Sequence, residues 1–395
     1  MTMELLSPAG DFEKCRTALH FGADAVYAGG PGLHLRKGAS GFTLEALAKA
    51  VQYTHEQGKK FYVTLNAFAR NEDLGPLPDL ASAYQAMGVD GAIVADLGVL
   101  SLCKKAAPRL PLHISTQANC VNYQTARMYH DLGASRIVLA RELSLEEIAG
   151  IRAKTPASLE LEAFVHGAMC MSYSGRCFLS AYLTGRDANQ GDCAQPCRWQ
   201  YALMEQTRPG QYFPVEQDAR GTYFLSSYDL CMIQHLDDLQ KAGVRSLKIE
   251  GRMKSPYYVA TVTHAYRQAL DGAAPLSELR RELDCVSHRA FSTGFYYGPM
   301  DTSQTADEYL QSCRFSAVVL GRVAEDRLLI EQRNKFSIGD TLEIVSPRYA
   351  KASFRVEALW DEAGRPVESA PHAKQRLQLR CPYPLSPMDL LRRRL

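Results

Sequence analysis

The chain carries eleven cysteines, and their positions are uneven. They stand at 15, 103, 120, 170, 177, 193, 197, 231, 285, 313 and 381, so four fall within 28 residues. That stretch reads Glu162-Ala-Phe-Val-His166-Gly-Ala-Met-Cys170, continues to Cys177 through Ser174-Gly175-Arg176, and ends in Cys193-Ala-Gln-Pro-Cys197, a C-x6-C-x15-C-x3-C spacing. Cys231 follows in Tyr228-Asp-Leu-Cys231. Thiolates bind zinc or iron–sulfur clusters. Structural zinc sites favour paired knuckles, and of these cysteines only Cys193 and Cys197 have that form. Irregular spacing beside Gly167, Gly175 and Gly191 suits a cluster held by several loops. An iron–sulfur site is therefore expected, with zinc or uncoordinated thiols left open by spacing alone. The scattered cysteines read as small buried hydrophobes.

Something must position these thiols. The chain has 395 residues, 46% hydrophobic and 22% charged, enough for one barrel and a small domain. Strand patterns fall at 4–8, 25–28, 61–66, 91–95, 112–116, 136–140, 159–165 and 246–250. Amphipathic stretches separate most of them, at 12–21, 44–57, 97–105, 123–132 and 145–154. Strand–helix alternation means parallel strands with right-handed crossovers. Eight strands predict a closed (β/α)8 TIM-like barrel. A doubly wound sheet is the alternative, but the Gly29-Gly30-Pro31-Gly32 cluster does not match a dinucleotide fingerprint. The roughly 80 residues between the last two strands exceed a normal crossover. They place a Cys-rich insertion at 166–245, just beyond a strand's carboxyl end, where barrel enzymes carry their chemistry.

Residues 255–284 read as helical and are expected to close the barrel. Beyond them short alternating runs, at 316–320, 327–331, 341–344, 354–359 and 376–380, predict a small antiparallel β-barrel domain. The expected partition is 1–310 and 311–395. The run Arg392-Arg-Arg394 reads as a solvated tail. No signal peptide is expected from the opening residues, and no apolar run approaches the ~20 residues of a membrane span, so a soluble cytoplasmic protein is anticipated. A formal net charge of +2 neither favours nor excludes a polyanionic partner.

Polar residues at strand ends come next. His166, four residues before Cys170, is a candidate acid or base, or a donor to a cluster sulfide; a hydrogen-bonded buried histidine is the bland alternative. Arg141 and Arg252 are candidates to clamp a dicarboxylate, or else to pair with Glu162 and Glu250. Lys248 and Glu250 alternate with Ile249 and so face one way, inward. Asn66 and Gln117 sit at strand ends. Tyr27, Tyr173 and Tyr182 are candidates to stack on a base. Arg176, Arg186, Arg198, Arg252 and Lys254 are candidates for phosphate contacts or are separately solvated charges.

The segment Glu162 to Cys170, followed by Ser-Gly-Arg-Cys177-Phe-Leu-Ser180, resembles the signature of the peptidase-U-thirty-two family. Glu4-Leu-Leu-Ser-Pro-Ala-Gly10, Gly22-Ala-Asp-Ala-Val-Tyr27, Lys248-Ile-Glu-Gly-Arg252-Met-Lys254 and Asn334-Lys-Phe-Ser-Ile-Gly339-Asp340 resemble its other landmarks, so the likeness spans essentially the whole chain. Members of that family resemble oxygen-independent hydroxylases with a [4Fe–4S] cluster. Length, single signature and appended β domain are similar to the tRNA-hydroxylating branch. The resemblance implies 5-hydroxyuridine formation at the wobble position, prephenate as co-substrate, and the anticodon arm of tRNA as partner. It also leaves room for a homo-oligomer or a family-member partner subunit. It implies Cys170, Cys177 and Cys193 as ligands, with Cys231 favoured as the fourth and Cys197 as the alternative. Further readings are a collagenase-like peptidase, a hydroxylase of another RNA or of a quinone precursor, and an RNA-binding protein with a structural cluster. Against the peptidase, His55-Glu56 lacks the second histidine of H-E-x-x-H, and no G-x-S-x-G elbow occurs.

Overall fold

The computed structural model describes residues 3–35, 41–170, 172–199, 228–298, 309–349 and 352–395, with four two-residue strands between 203 and 222. The chain divides into two compact units. The first comprises Met1–Cys15, Asp24–Lys254 and His288–Tyr309; the second comprises Arg16–Ala23, Ser255–Ser287 and Leu310–Leu395.

In the first unit eight parallel strands close on themselves. They are β1 (Glu4–Pro8), β2 (Ala25–Gly29), β3 (Lys60–Leu65), β4 (Gly91–Val94), β5 (Leu112–Ile114), β6 (Ala134–Val138), β7 (Glu160–Ala168) and β8 (Ser246–Ile249). Each pairs with the next, and β8 pairs with both β7 and β1, which makes the TIM-like barrel. Most of these strands are short runs buried along nearly their whole length, as parallel strands covered on both faces must be. The crossover helices begin where side-chain caps accept backbone N–H groups: Thr43, Asp96 and Ser144, the last completing a capping box with Glu147.

Two features of this unit depart from the sequence expectation. β7 has nine residues and outruns its neighbours. Its last residues are covered by an antiparallel strand, Asp229–Cys231, which sets Cys231 opposite His166, and Phe291–Ser292 lies beside that strand. Also, residues 255–284 are two helices, Pro256–Asp271 and Leu276–Glu282, that group with the second unit.

The second unit holds a curled antiparallel sheet. Its strands are β9 (Cys313–Ala324), β10 (Arg327–Gln332), β11 (Thr341–Val345), β12 (Ser353–Arg355), β13 (Leu359–Asp361), β14 (Pro366–Val367), β15 (Arg376–Arg380) and β16 (Leu390–Arg394), in the order β12-β11-β16-β9-β10-β15-β13-β14. Register shifts at three places along β9 bend the sheet over a core that includes Val319, Leu328, Ile330, Leu342, Leu377 and Leu391. The run expected at 354–359 is two strands, β12 and β13. The predicted solvated tail is corrected too. Residues 390–394 form β16 between β9 and β11, and Arg392 is buried, bonded to Glu282 and Glu343.

Candidate active site at the carboxyl ends of the barrel strands

The inward residues of the barrel's amino-terminal half form an ionic layer. Glu162, third in β7, is fully buried and accepts from Lys248 Nζ at 2.7 Å and from Arg136 Nη1 at 3.0 Å. Arg136 also reaches Glu4 Oε1 at 2.6 Å and Glu160, and Tyr62 donates to Glu4 at 2.9 Å. Burial pushes the Glu162 carboxyl up, but Lys248 and Arg136 outweigh it and hold it below the ordinary carboxylate range. Burial also lowers His113, which packs edge-on against Tyr62. Glu162 and Lys248 thus stand inside a closed network. Such a layer belongs to the stability of a barrel more than to its chemistry.

The opposite face is built from residues just past the strand ends. Tyr27 is buried, donating to Ile249 O at 2.9 Å and lying 3.3 Å from Glu250 Oε2, with Lys248 Nζ 4.5 Å from its ring. It offers no open face for stacking. Arg252 is buried and donates to Thr64 Oγ1 at 3.0 Å. Its carbonyl is so close to Gly10 that a Cβ there would lie 2.2 Å away. Asn66 donates to Ser115 Oγ at 3.1 Å. Arg141 donates to Ala168 O at 3.2 Å and to Ser174 Oγ at 3.1 Å, and lies 5.2 Å over Phe164. His166 is buried in β7, its ring 5.4 Å from Phe291. Lys254 Nζ lies 5.7 Å from the Tyr309 ring, and Tyr173 is exposed.

Asn66 is joined by three further residues that the sequence does not mark, Thr116, Asn119 and Glu142. Asn66 Oδ1, Thr116 Oγ1, Asn119 Oδ1 and Glu142 Oε2 are buried oxygens that find no hydrogen-bond partner among the described residues. Thr116, Asn119 and Glu142 each sit within a few residues of a strand's end. Asn119 adds a second signal, a left-handed backbone at φ +53°. Buried oxygens without partners are costly, and a polar ligand would satisfy them.

The cysteine segment is laid across this face. Gly175 packs against Gln117 O, Phe68 N–H donates to Asn189 O at 3.0 Å, and Asn189 donates to Cys177 O at 2.8 Å. Gly175, at φ +74°, has room for no Cβ, which would meet Gln117 O at 2.7 Å. Cys170 and Cys193 are exposed, Cys177 and Cys197 half-buried, and Cys231 buried. No cysteine is in a disulfide. Cys193 Sγ accepts the Gln195 N–H at 3.3 Å, the kind of bond that tunes ligand sulfurs. The donor set has the softness that zinc or an iron–sulfur cluster asks for. Among the described residues, however, no three His, Cys, Asp or Glu side chains converge as a metal site requires. Loading such a group therefore means drawing the segment's thiols together, a coupling usual for metal-ordered loops.

The peptidase family U32 profile matches residues 10–306, and the profile of that family's C-terminal domain matches 311–392. The chain belongs to peptidase family U32. Among its relatives is tRNA hydroxylation protein P1 of Bacillus subtilis, 37% identical over 99% of this chain and 94% of that protein. A 23S rRNA 5-hydroxycytidine synthase of Escherichia coli is 43% identical over 68% of this chain and 39% of its own length. A collagenase of Porphyromonas gingivalis is 29% identical over 99% and 97%. No helix among the described residues is long and apolar enough to cross a membrane.

Proposed function

We propose that this U32 chain is an RNA hydroxylase, acting on tRNA to form 5-hydroxyuridine at the wobble position. The observation that carries the reading is the end-to-end similarity to tRNA hydroxylation protein P1, joined to a barrel face where a cysteine segment overlies buried polar atoms in want of a ligand. A [4Fe–4S] cluster held by Cys170, Cys177 and Cys193, with Cys231 or Cys197 as the fourth thiolate, would supply one-electron chemistry. Prephenate is the proposed co-substrate.

The chain's own residues would then do the following. Arg141, whose guanidinium has more N–H donors than the two bonds to Ala168 O and Ser174 Oγ use, binds a carboxylate at this face together with Arg252. Asn66, Thr116, Asn119 and Glu142 orient a polar ring through its N–H and hydroxyl groups. His166, on β7 opposite Cys231, moves a proton to or from the bound substrate. Glu162 and Lys248 hold β7 and β8 in register beneath it.

Nucleoside mass spectrometry of tRNA from cells with and without the gene tests the assignment. Loss of 5-hydroxyuridine and its derivatives on deletion is expected; unchanged wobble uridines would refute it. Anaerobically purified protein should carry iron and acid-labile sulfide, and Cys170→Ser or Cys177→Ser should remove most of both. The likeness to a collagenase keeps a peptidase as the second reading, for which gelatin hydrolysis by the purified chain is the check.

A further inference from the structure

Charge is divided unequally along the chain. Residues 311–395 hold fifteen Lys or Arg against ten Asp or Glu, an excess of five, whereas the whole chain is +2 and the preceding 310 residues are therefore net −3. The basic excess belongs to the curled sheet, and part of it lies on one face of that sheet. In β10, β15 and β13 the buried residues Leu328, Ile330, Leu377, Leu379 and Leu359 point to the core. Strand alternation turns their neighbours outward. Register sets Arg327 opposite Arg380, Leu329 opposite Gln378, and Trp360 opposite Gln378 on its other side. Arg376 is two residues from Gln378 on the same face, and the Arg327 guanidinium lies 3.9 Å over the Trp360 ring.

Four carboxylates share the neighbourhood, one of them Asp361, which lies 2.7 Å from Arg365. Asp326 lies 2.9 Å from Arg380, Glu362 lies 3.8 Å from Arg376, and Glu331 lies 2.8 Å from Arg333. The Asp326 and Glu362 pairs are at least half exposed. Such pairs are weak, screened by salt, and readily exchanged for phosphate. What remains is a half-buried indole stacked with a guanidinium, an amide beside it, and two exposed arginines flanking both. Aromatic and guanidinium planes on an open sheet are the platform on which unpaired bases stack, with arginines tracking the backbone.

We infer that the outer face of β10, β15 and β13, centred on Trp360, Arg376 and Arg380, binds an unpaired stretch of RNA. The inference rests on the RNA-hydroxylase reading for its choice of polyanion. A base stacks on the Trp360–Arg327 pair, Gln378 meets its edge, and Arg376 and Arg380 contact flanking phosphates.

The full-length chain, a labelled RNA hairpin, and an RNA duplex of equal length test this by fluorescence anisotropy at several salt concentrations. Trp360→Ala should weaken hairpin binding at least about fivefold while leaving duplex binding unchanged, because only unpaired bases stack. Trp360→Tyr, which keeps a ring, should restore most of the affinity and also serves as the folding control. The double change Arg376→Gln with Arg380→Gln should make the log–log salt slope shallower by about 1.4, the value for two phosphates on a single strand. Wild-type hairpin affinity in both the Trp360→Ala and the arginine variants overturns the proposal. So does equal weakening of hairpin and duplex by Trp360→Ala, or loss of binding to polyglutamate in place of RNA, which would mark an acidic protein as the partner. Nucleoside analysis separates the two readings: gene-dependent 5-hydroxyuridine with RNA binding indifferent to these variants sinks the surface alone, and failure of both sinks the hydroxylase as well.

Discussion

Replacing Glu162 by Ala should destabilise the barrel by about 3–5 kcal/mol, the usual cost of removing one partner from a buried ion pair. The geometry accounts for the size. Glu162 is fully buried and accepts two charge-assisted bonds, 2.7 Å from Lys248 Nζ and 3.0 Å from Arg136 Nη1. Arg136 keeps Glu4 and Glu160, but among the described residues Lys248 has no other carboxylate partner, only the rings of Tyr27 and Phe164. The variant therefore strands a buried ammonium. Removing both charges, as Glu162→Leu with Lys248→Met, should recover much of the loss, because apolar replacements of similar volume spare the desolvation of two ions.

Guanidinium titration followed by circular dichroism reads these differences. A loss of 3 kcal/mol corresponds to roughly a 150-fold shift in the unfolding equilibrium. The carboxyl is lower in the folded state than its unfolded value of about 4.3, so the folded chain binds fewer protons in that window. Its contribution is complete above pH ~4.3 and disappears as pH falls through the folded value. Glu162→Gln should accordingly flatten the acid limb of the stability profile. A Glu162→Ala protein within ~1 kcal/mol of wild type yet catalytically dead would refute the structural reasoning and return this carboxylate to catalysis.

Gly10→Ala forces a Cβ to 2.2 Å from the Arg252 carbonyl and should cost about 1–3 kcal/mol, seen as a lower unfolding midpoint with weakened binding of a dicarboxylate. In the second unit, Arg392→Ala should lower stability by about 3–5 kcal/mol, since it leaves Glu282 and Glu343 facing a vacated buried site, whereas exposed Arg394→Ala should stay within ~1 kcal/mol. Thr116→Val, which removes a buried hydroxyl that has no partner among the described residues, should leave the unfolding midpoint unchanged or raised while weakening substrate binding; a clear fall in stability would show that the hydroxyl is structural.

The linear order of residues was enough for the barrel. Short apolar runs alternating with amphipathic stretches leave little choice but parallel strands and crossovers, and the long gap after the seventh strand announces the insertion. Cys170, Cys177 and Cys193 stand out as candidate ligands because cysteine is rare and clustered, and the described residues do not bring them together as a metal site. Pairings across the fold were not visible. Glu162 finds Lys248 86 residues away and Arg136 26 residues away, and nothing local distinguishes Arg136 from Arg141. The Arg392-Arg-Arg394 run looks like a tail because its partner Glu282 is 110 residues distant; only the folded sheet makes it a central strand. Periodicity and composition are local properties, readable along the chain. Which charges are buried together, which polar atoms lack a partner, and how closely the thiols approach are decided by register and closure, and these exist only once the chain has folded.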